Sequence, residues 1–427
     1  VSQISEYLLD TLPYERDCAA LLCRLQSLPG LVALDSGLGQ DRNGRYDIIS
    51  ALPTVSLTDP AQQADMFARV QQALEQERPT LPAPDALRAL PFGGGALGYF
   101  AYDGSANIGI YHWAIVIDHQ QRRTHLFALP GCPSQTWVRV AEALAQPIET
   151  PTEFELAKAF ESNLSPAQYA AAFARIQDYI QAGDCYQVNL AQRFNSRYSG
   201  DPLRAYLRLR KGIHSPFAGF MRTDGGALLS FSPERFIRVH DTQVLTQPIK
   251  GTRPRSVDPE RDLALARELQ DSDKDRAENL MIVDLLRNDL GTLCVTGSIK
   301  VERLFELHSF TNVHHLVSSI RARLGPEHGA LALLRNCFPG GSITGAPKKR
   351  AMEIIAELEP DSRQVYCGTL GYVGFDGNLD SNIMIRTLHC AQGEIYCWGG
   401  GGIVADSICA QEYQECFDKI NNIINKL

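Results

Sequence analysis

The stretch from residue 227 to residue 252 constrains this chain most, because its residue types dictate strands, breaks and one sharply bent end. Residues 227–232 and 235–239 are rich in β-forming side chains, and Ser232-Pro233 separates them. Residues 240–243 turn the chain back into a strand over 244–247. Pro248 closes that strand, since it has no N–H to give a neighbour. Gly251 then permits a sharp bend or a close approach to a ligand. If 235–239 and 244–249 pair as a hairpin, Glu234 falls almost opposite Ile249. Lys250 and Glu234 then share the hairpin's open end. A lysine at a strand end is ordinarily a solvated charge, but an amine beside a carboxyl is a nucleophile and acid couple.

Elsewhere, too, the chain alternates. Tyr186, Val188 and Leu190 fall on one side of a strand, with Gln187, Asn189 and Arg193 on the other. Ser165-Pro166-Ala167-Gln168 is a capping box with proline in the first turn, so a helix starts there. Tyr169, Phe173, Ile176 and Ile180 make its apolar face, and Gly183 ends it. Residues 1–150 mix short helices and strands and form an N-terminal region. The polar, proline-broken stretch 149–163 is the expected boundary with a second region, 165–427. Gly93-x-Gly95-x-x-Gly98 has the spacing of a dinucleotide fingerprint, but strand-like aromatic residues follow it where a helix is needed. Close backbone packing is the better account.

Composition excludes several classes. The 427 residues carry a formal charge of −8 and no long basic run, which argues against a nucleic-acid partner. Eleven cysteines without a Cys-x-x-Cys pair suggest buried thiols in a reducing, cytoplasmic setting. No stretch reaches membrane-spanning length, and residues 1–9 show no export signal.

Two helices present paired carboxylates. Asp275 and Glu278 lie three apart on a helix that Ser272 caps. Glu412 and Glu415 repeat this on the last helix, which is expected to begin near Asp406-Ser407, with Lys419 one turn on. Two such pairs suit a hard divalent cation, because magnesium keeps several waters and needs few protein oxygens. Gly399-Gly400-Gly401-Gly402 follows Trp398, which is expected to end a strand. Consecutive glycines can aim backbone N–H groups at an anion.

Ser232-Pro233-Glu234-Arg235-Phe236 followed by Pro248-Ile249-Lys250-Gly251-Thr252 resembles the chorismate-utilising enzymes, over most of the chain and most densely from Ser165 to Lys426. The resemblance implies an α+β fold: two large antiparallel sheets packed as a sandwich, helices outside, the active site between the layers. Within the family, Lys250 points to the branch that aminates chorismate to 4-amino-4-deoxychorismate for folate synthesis, because anthranilate synthase large subunits carry alanine there. Gln187 stands where isochorismate- and salicylate-forming members place a lysine, which disfavours water as nucleophile.

The resemblance also implies roles. Glu234 protonates the departing hydroxyl, uncharged Lys250 adds covalently, and ammonia from a separate glutaminase subunit displaces it. His315 sits near the leaving hydroxyl and Thr252 beside it. Gly251, Ser342, Tyr366, Arg386 (within an alternating strand), Gly400, Gly402 and Lys419 surround the substrate. Glu278 and Glu415 bind Mg2+ directly, Asp275 and Glu412 through water. A tryptophan pocket is implied at Ser36, Asn43, Gly44, Arg45, Tyr46, Pro216, Phe217 and Ala218. The rival readings are an anthranilate synthase large subunit and a non-catalytic tryptophan-binding regulator.

Overall fold

A computed structural model describes residues 2–38, 44–59, 65–310 and 313–427. Its strands build two large sheets, in which every strand pair with a defined register is antiparallel. The centre of the first runs Val32–Asp35, Phe217–Thr223, Gly226–Ser232, Thr387–Ala391, Glu394–Ile403, Gln187–Ser199. The second runs Ile249–Pro254, Val313–Arg323, Gln243–Thr246, Arg235–His240, Leu379–Asn382, Thr369–Gly374, Gly95–Phe100, Ala106–Tyr111, Val55–Thr58.

Strand periodicity explains the layering. In the first sheet Ile48, Met221 and Leu228 face the second sheet, packing with Leu97, Phe236, Ile320 and Leu370. Their neighbours Ile49, Phe220 and Leu229 face the opposite way, into a core shared with Leu22, Leu203 and Val140 of three outer helices. A third cluster seats the helices Pro166–Gln181, Lys348–Leu358 and Cys409–Ile424 on Val188 and Leu190. Burying each such large apolar side chain contributes about 1.5–3 kcal/mol relative to leaving it in water. The implied sandwich with outer helices is the observed architecture.

Several local expectations hold. Ser165 makes the capping box with Gln168. The Gly95 and Gly98 backbones pack where a Cβ would lie 2.3 Å from the Val373 carbonyl and 2.2 Å from that of Asn107, so the glycine spacing serves sheet packing. All eleven cysteines are free thiols, ten of them buried. No helix among the described residues is long and apolar enough to cross a membrane.

Others need correction. Residues before and after 150–163 supply strands to both sheets, so that stretch does not separate two sheet systems. The strand after Tyr186 is longer than its alternating segment and runs to Ser199. Pro248 interrupts pairing only briefly: a new strand, Ile249–Pro254, forms at once against Val313–Arg323. The glycine run does not follow a strand but lies inside one, Glu394–Ile403. The last helix begins at Cys409 after an Ile408 cap, and Ser407 instead donates to Glu412. Arg386 lies outside any strand, at a bend with φ +51° just before Thr387–Ala391.

Candidate active site

The hairpin brings its two key side chains together as its register requires. Arg238 pairs with Leu245 and Val239 with Val244, so the same register carried back sets Glu234 opposite Ile249. The Glu234 carboxylate accepts the Ile249 N–H. It is buried, and Ser342 Oγ donates to its Oε1 at 2.9 Å from the short turn Gly341–Ile343. Burial pushes the carboxyl up to about 7, against the opposing pull of Ser342, Lys250, Ile249 and Lys419. It is therefore substantially protonated near neutrality, as a proton donor must be.

Lys250 follows in the next strand, its side chain 12% exposed. Its Nζ donates to Glu278 Oε1 at 2.7 Å, and Gln187 Nε2 donates to the same oxygen at 2.7 Å. The amine is thus held against a carboxylate rather than among apolar groups. Gly251 makes the bulge that turns Lys250 inward. At its φ of +76° an added Cβ would meet Leu269 Cδ1 at 2.8 Å and Asp275 Cβ at 3.1 Å. Thr252 Oγ1 contacts His315 Nδ1 at 2.9 Å. His315 is buried, and burial, reinforced by Arg386, lowers it to about 3, so the ring is neutral. Its Nε2 has no partner among the described residues, nor do Gln187 Oε1 and Asn189 Oδ1. Such buried orphans suit a polar ligand.

Arg386 bridges these groups electrostatically. Burial lowers its guanidinium, which the Glu234 charge partly offsets, and it in turn depresses His315. No ion pair holds it among the described residues, leaving its fork open to a carboxylate. Tyr366 is buried and stacks on Trp398, with centroids 5.9 Å apart and planes 5° off parallel.

The glycine strand turns two backbone N–H groups away from its neighbour. Gly400 lies opposite Ala191 and Gly402 opposite Asn189. The Ala191 and Asn189 N–H groups point away, to Glu359 and to the Thr344 carbonyl. These are therefore the non-hydrogen-bonded pairs of the ladder, so the Gly400 and Gly402 N–H groups face the strand's other edge. Thr387–Ala391 covers that edge only as far as Tyr396. Lys419 Nζ reaches the Gly400 carbonyl at 2.8 Å and Glu415 at 2.6 Å.

Three carboxylates approach this strand, Glu412 and Glu415 on the Gly401 face and Glu278 on the opposite, Gly402 face. A Cβ on Gly401 would lie 3.0 Å from Glu412 Oε2 and 3.6 Å from Glu415 Oε1, and one on Gly402 would lie 2.8 Å from Glu278 Oε1. Burial raises Glu412, with Glu415 adding to the effect and Ser407 opposing it. Burial would also raise Glu278 and Glu415, but Lys250 and Lys419 outweigh it and hold both low. An all-oxygen set of this kind fits a hard divalent cation. Asp275 stands apart, facing Gly251 and paired with Arg253 at 3.3 Å. Among the described residues, the one group of three such ligand atoms within 4.8 Å of one another lies elsewhere, at Cys18, Asp35 and Asp47; Glu278, Glu412 and Glu415 do not close to that spacing here. There Arg210 already serves Asp35 at 2.7 Å and Cys18 at 3.4 Å.

A separate cavity of about 470 Å³ opens between the sheets, walled by Arg45, Tyr46, Pro216, Phe217 and Ala218 and by Arg235, Tyr372 and Asp380. Ser36 and Gly44 pack on each other instead of lining it, a Gly44 Cβ falling 2.4 Å from the Ser36 carbonyl. Asn43 lies outside the described residues.

Sequence reasoning assigned Gln187 only an excluding role and did not anticipate its grip on Glu278. Its inward position in the alternating strand was the available signal.

The profile of a family described as chorismate binding enzyme matches residues 36–425. Aminodeoxychorismate synthase component 1 of Klebsiella aerogenes is 45% identical, covering 98% of each chain. Anthranilate synthase component 1 of Pseudomonas aeruginosa is 34% identical, covering 94% of this chain and 90% of its own. Among solved structures, anthranilate synthase component I from Streptococcus pneumoniae TIGR4 superposes with a TM-score of 0.77 at 28% identity, covering 90% of this chain and 93% of its own. With the family profile matching residues 36–425 and a relative 45% identical over nearly the whole chain, the protein belongs to the chorismate binding enzyme family.

Proposed function

We propose that the protein aminates chorismate, replacing the ring hydroxyl with an amino group to give 4-amino-4-deoxychorismate. One observation carries this reading: Lys250 and the buried Glu234 lie at the open end of one hairpin. Glu234 gives its proton to the departing hydroxyl, and the C–O bond breaks to release water. The Lys250 amine, as free base, forms a C–N bond to the ring. Ammonia then forms its own C–N bond as the lysine C–N bond breaks, and the lysine leaves as an amine. Balance requires Lys250 to leave Glu278 and attack as free base, any proton on it passing to water, and the ring ammonium formed from ammonia to return one proton to Glu234.

Substrate carboxylates are held by Arg386 and by the Gly400 and Gly402 N–H groups. Tyr366 and neutral His315 line the ring, and Ser342 keeps Glu234 in position. Gly251 provides the bulge and Lys419 fixes the glycine strand. Glu278 and Glu415, with Glu412 nearby, are the residues to hold Mg2+, which when bound neutralises a substrate carboxylate. Asp275 is placed to help only through intervening water. Ammonia comes from a separate glutaminase subunit, and the setting is cytoplasmic. The 470 Å³ cavity suits tryptophan: Tyr46 and Phe217 offer aromatic walls, and the Arg45–Asp118 and Arg235–Asp380 ion pairs make its rim polar.

The deciding assay supplies chorismate, magnesium and ammonia and separates products by chromatography. Aminodeoxychorismate is expected. Anthranilate or isochorismate as the main product overturns the reading, and no turnover at all favours a non-catalytic role.

A further inference from the structure

Arg363 takes no part in the chemistry above, yet it is 2% exposed and fully engaged. Nε donates to Glu359 Oε2 at 2.8 Å and Nη2 to Glu359 Oε1 at 2.7 Å. Nη1 donates to the Ile343 carbonyl at 2.9 Å, and Nη2 to the Asn189 carbonyl at 2.8 Å. The guanidinium also lies 4.9 Å from the Tyr102 ring centre and 5.7 Å from that of Tyr366. Glu359 Oε1 meanwhile accepts the Ala191 N–H at 2.9 Å.

Burying an ion pair is expensive, and well-packed apolar residues in its place are often neutral or stabilising. Packing alone therefore does not call for this arginine. Its contacts do have a common target. Ile343 directly follows Ser342 in the turn that holds Glu234. Asn189 and Ala191 lie opposite Gly402 and Gly400. One planar fork therefore ties the acid's turn to the strand beneath the anion-facing glycines, a geometry lysine cannot reproduce.

We propose that Arg363 is a positioning residue, fixing the turn Gly341–Ile343 against the strand Gln187–Ser199 so that Ser342 holds Glu234 on the hairpin end it shares with Lys250. The proposal rests on the amination reading, with Glu234 as the acid.

A double-mutant cycle on the full chain tests it, using Arg363→Lys, Ser342→Ala and the pair, with magnesium and ammonia present. Arg363→Lys keeps a cation for Glu359 but cannot serve both carbonyls. Its kcat should fall about 30- to 100-fold, the size expected of a small misplacement, with KM changed less than about threefold. Because Arg363 acts through Ser342, the double variant should be within about threefold of the worse single variant. Losses that multiply, or a loss carried by KM, overturn the assignment. If circular dichroism shows Arg363→Lys unfolded, Arg363→Gln replaces it in the same cycle under the same criteria. The cycle is read on whatever chorismate product the unsubstituted protein makes. Failure of the amination reading thus shows in product identity, and failure of the Arg363 assignment in the coupling.

Discussion

Lys250 Nζ and Glu278 Oε1 stand 2.7 Å apart, joining the proposed nucleophile to a proposed metal ligand. The two lie on different elements, the strand Ile249–Pro254 and the helix Asp273–Gly291, so the pairing ties a strand end to a helix across the site. The consequences are testable at each partner.

Lys250→Ala should abolish the covalent chorismate adduct seen by intact mass spectrometry. It should also lower ammonia-dependent turnover on the order of 10²-fold or more, the scale of a positioned catalytic group. An undiminished adduct removes Lys250 from the mechanism.

Glu234 sets a pH limb. Its carboxyl is raised to about 7 in the fold from an ordinary 4.5, so kcat should fall as pH rises through about 7. The same shift makes stability pH-dependent. The folded state binds the extra proton between these values, so stability is full below 4.5 and is lost as pH rises toward 7, by roughly 3 kcal/mol in total. Glu234→Gln should lose about 10²- to 10⁴-fold in kcat, yet melt higher than the parent at pH 8. Equal melting temperatures at pH 5 and a lower one for the variant at pH 8 would contradict this.

Chelating divalent cations should stop turnover, and magnesium should restore it. Glu415→Gln should raise the magnesium needed for half-activation about tenfold or more while leaving the circular dichroism spectrum unchanged. A variant with the parent's magnesium dependence places the cation elsewhere.

Tryptophan should raise the melting temperature, since a ligand at about 100 times its Kd stabilises by about 2.7 kcal/mol. Phe217→Ala removes one wall of the cavity and should abolish most of that shift. A shift that survives Phe217→Ala assigns tryptophan to another site.

Local physics made part of this site legible. The break at Ser232-Pro233, the turn at 240–243 and strand alternation placed Glu234 opposite Ile249, and the observed register agrees. Helical spacing put Glu412 and Glu415 on one helix, and both approach Gly401. The sandwich itself, and the roles of Arg386 and Tyr366, came with the resemblance to a family rather than from periodicity.

Within the amino-acid order lay what depends on neighbours a few residues apart: strand alternation, the capping box at Ser165 and the hairpin that joins acid to amine. Tertiary structure alone decided which distant groups meet: Gln187 with Glu278, Ser342 with Glu234, Arg363 with Ile343 and Asn189, and the edge toward which Gly400 and Gly402 turn their N–H groups. Backbone geometry dictates a strand's faces over a few residues. Which helix or turn docks on a face is set by burial and hydrogen-bond satisfaction summed over the whole core, and no local spacing encodes that sum.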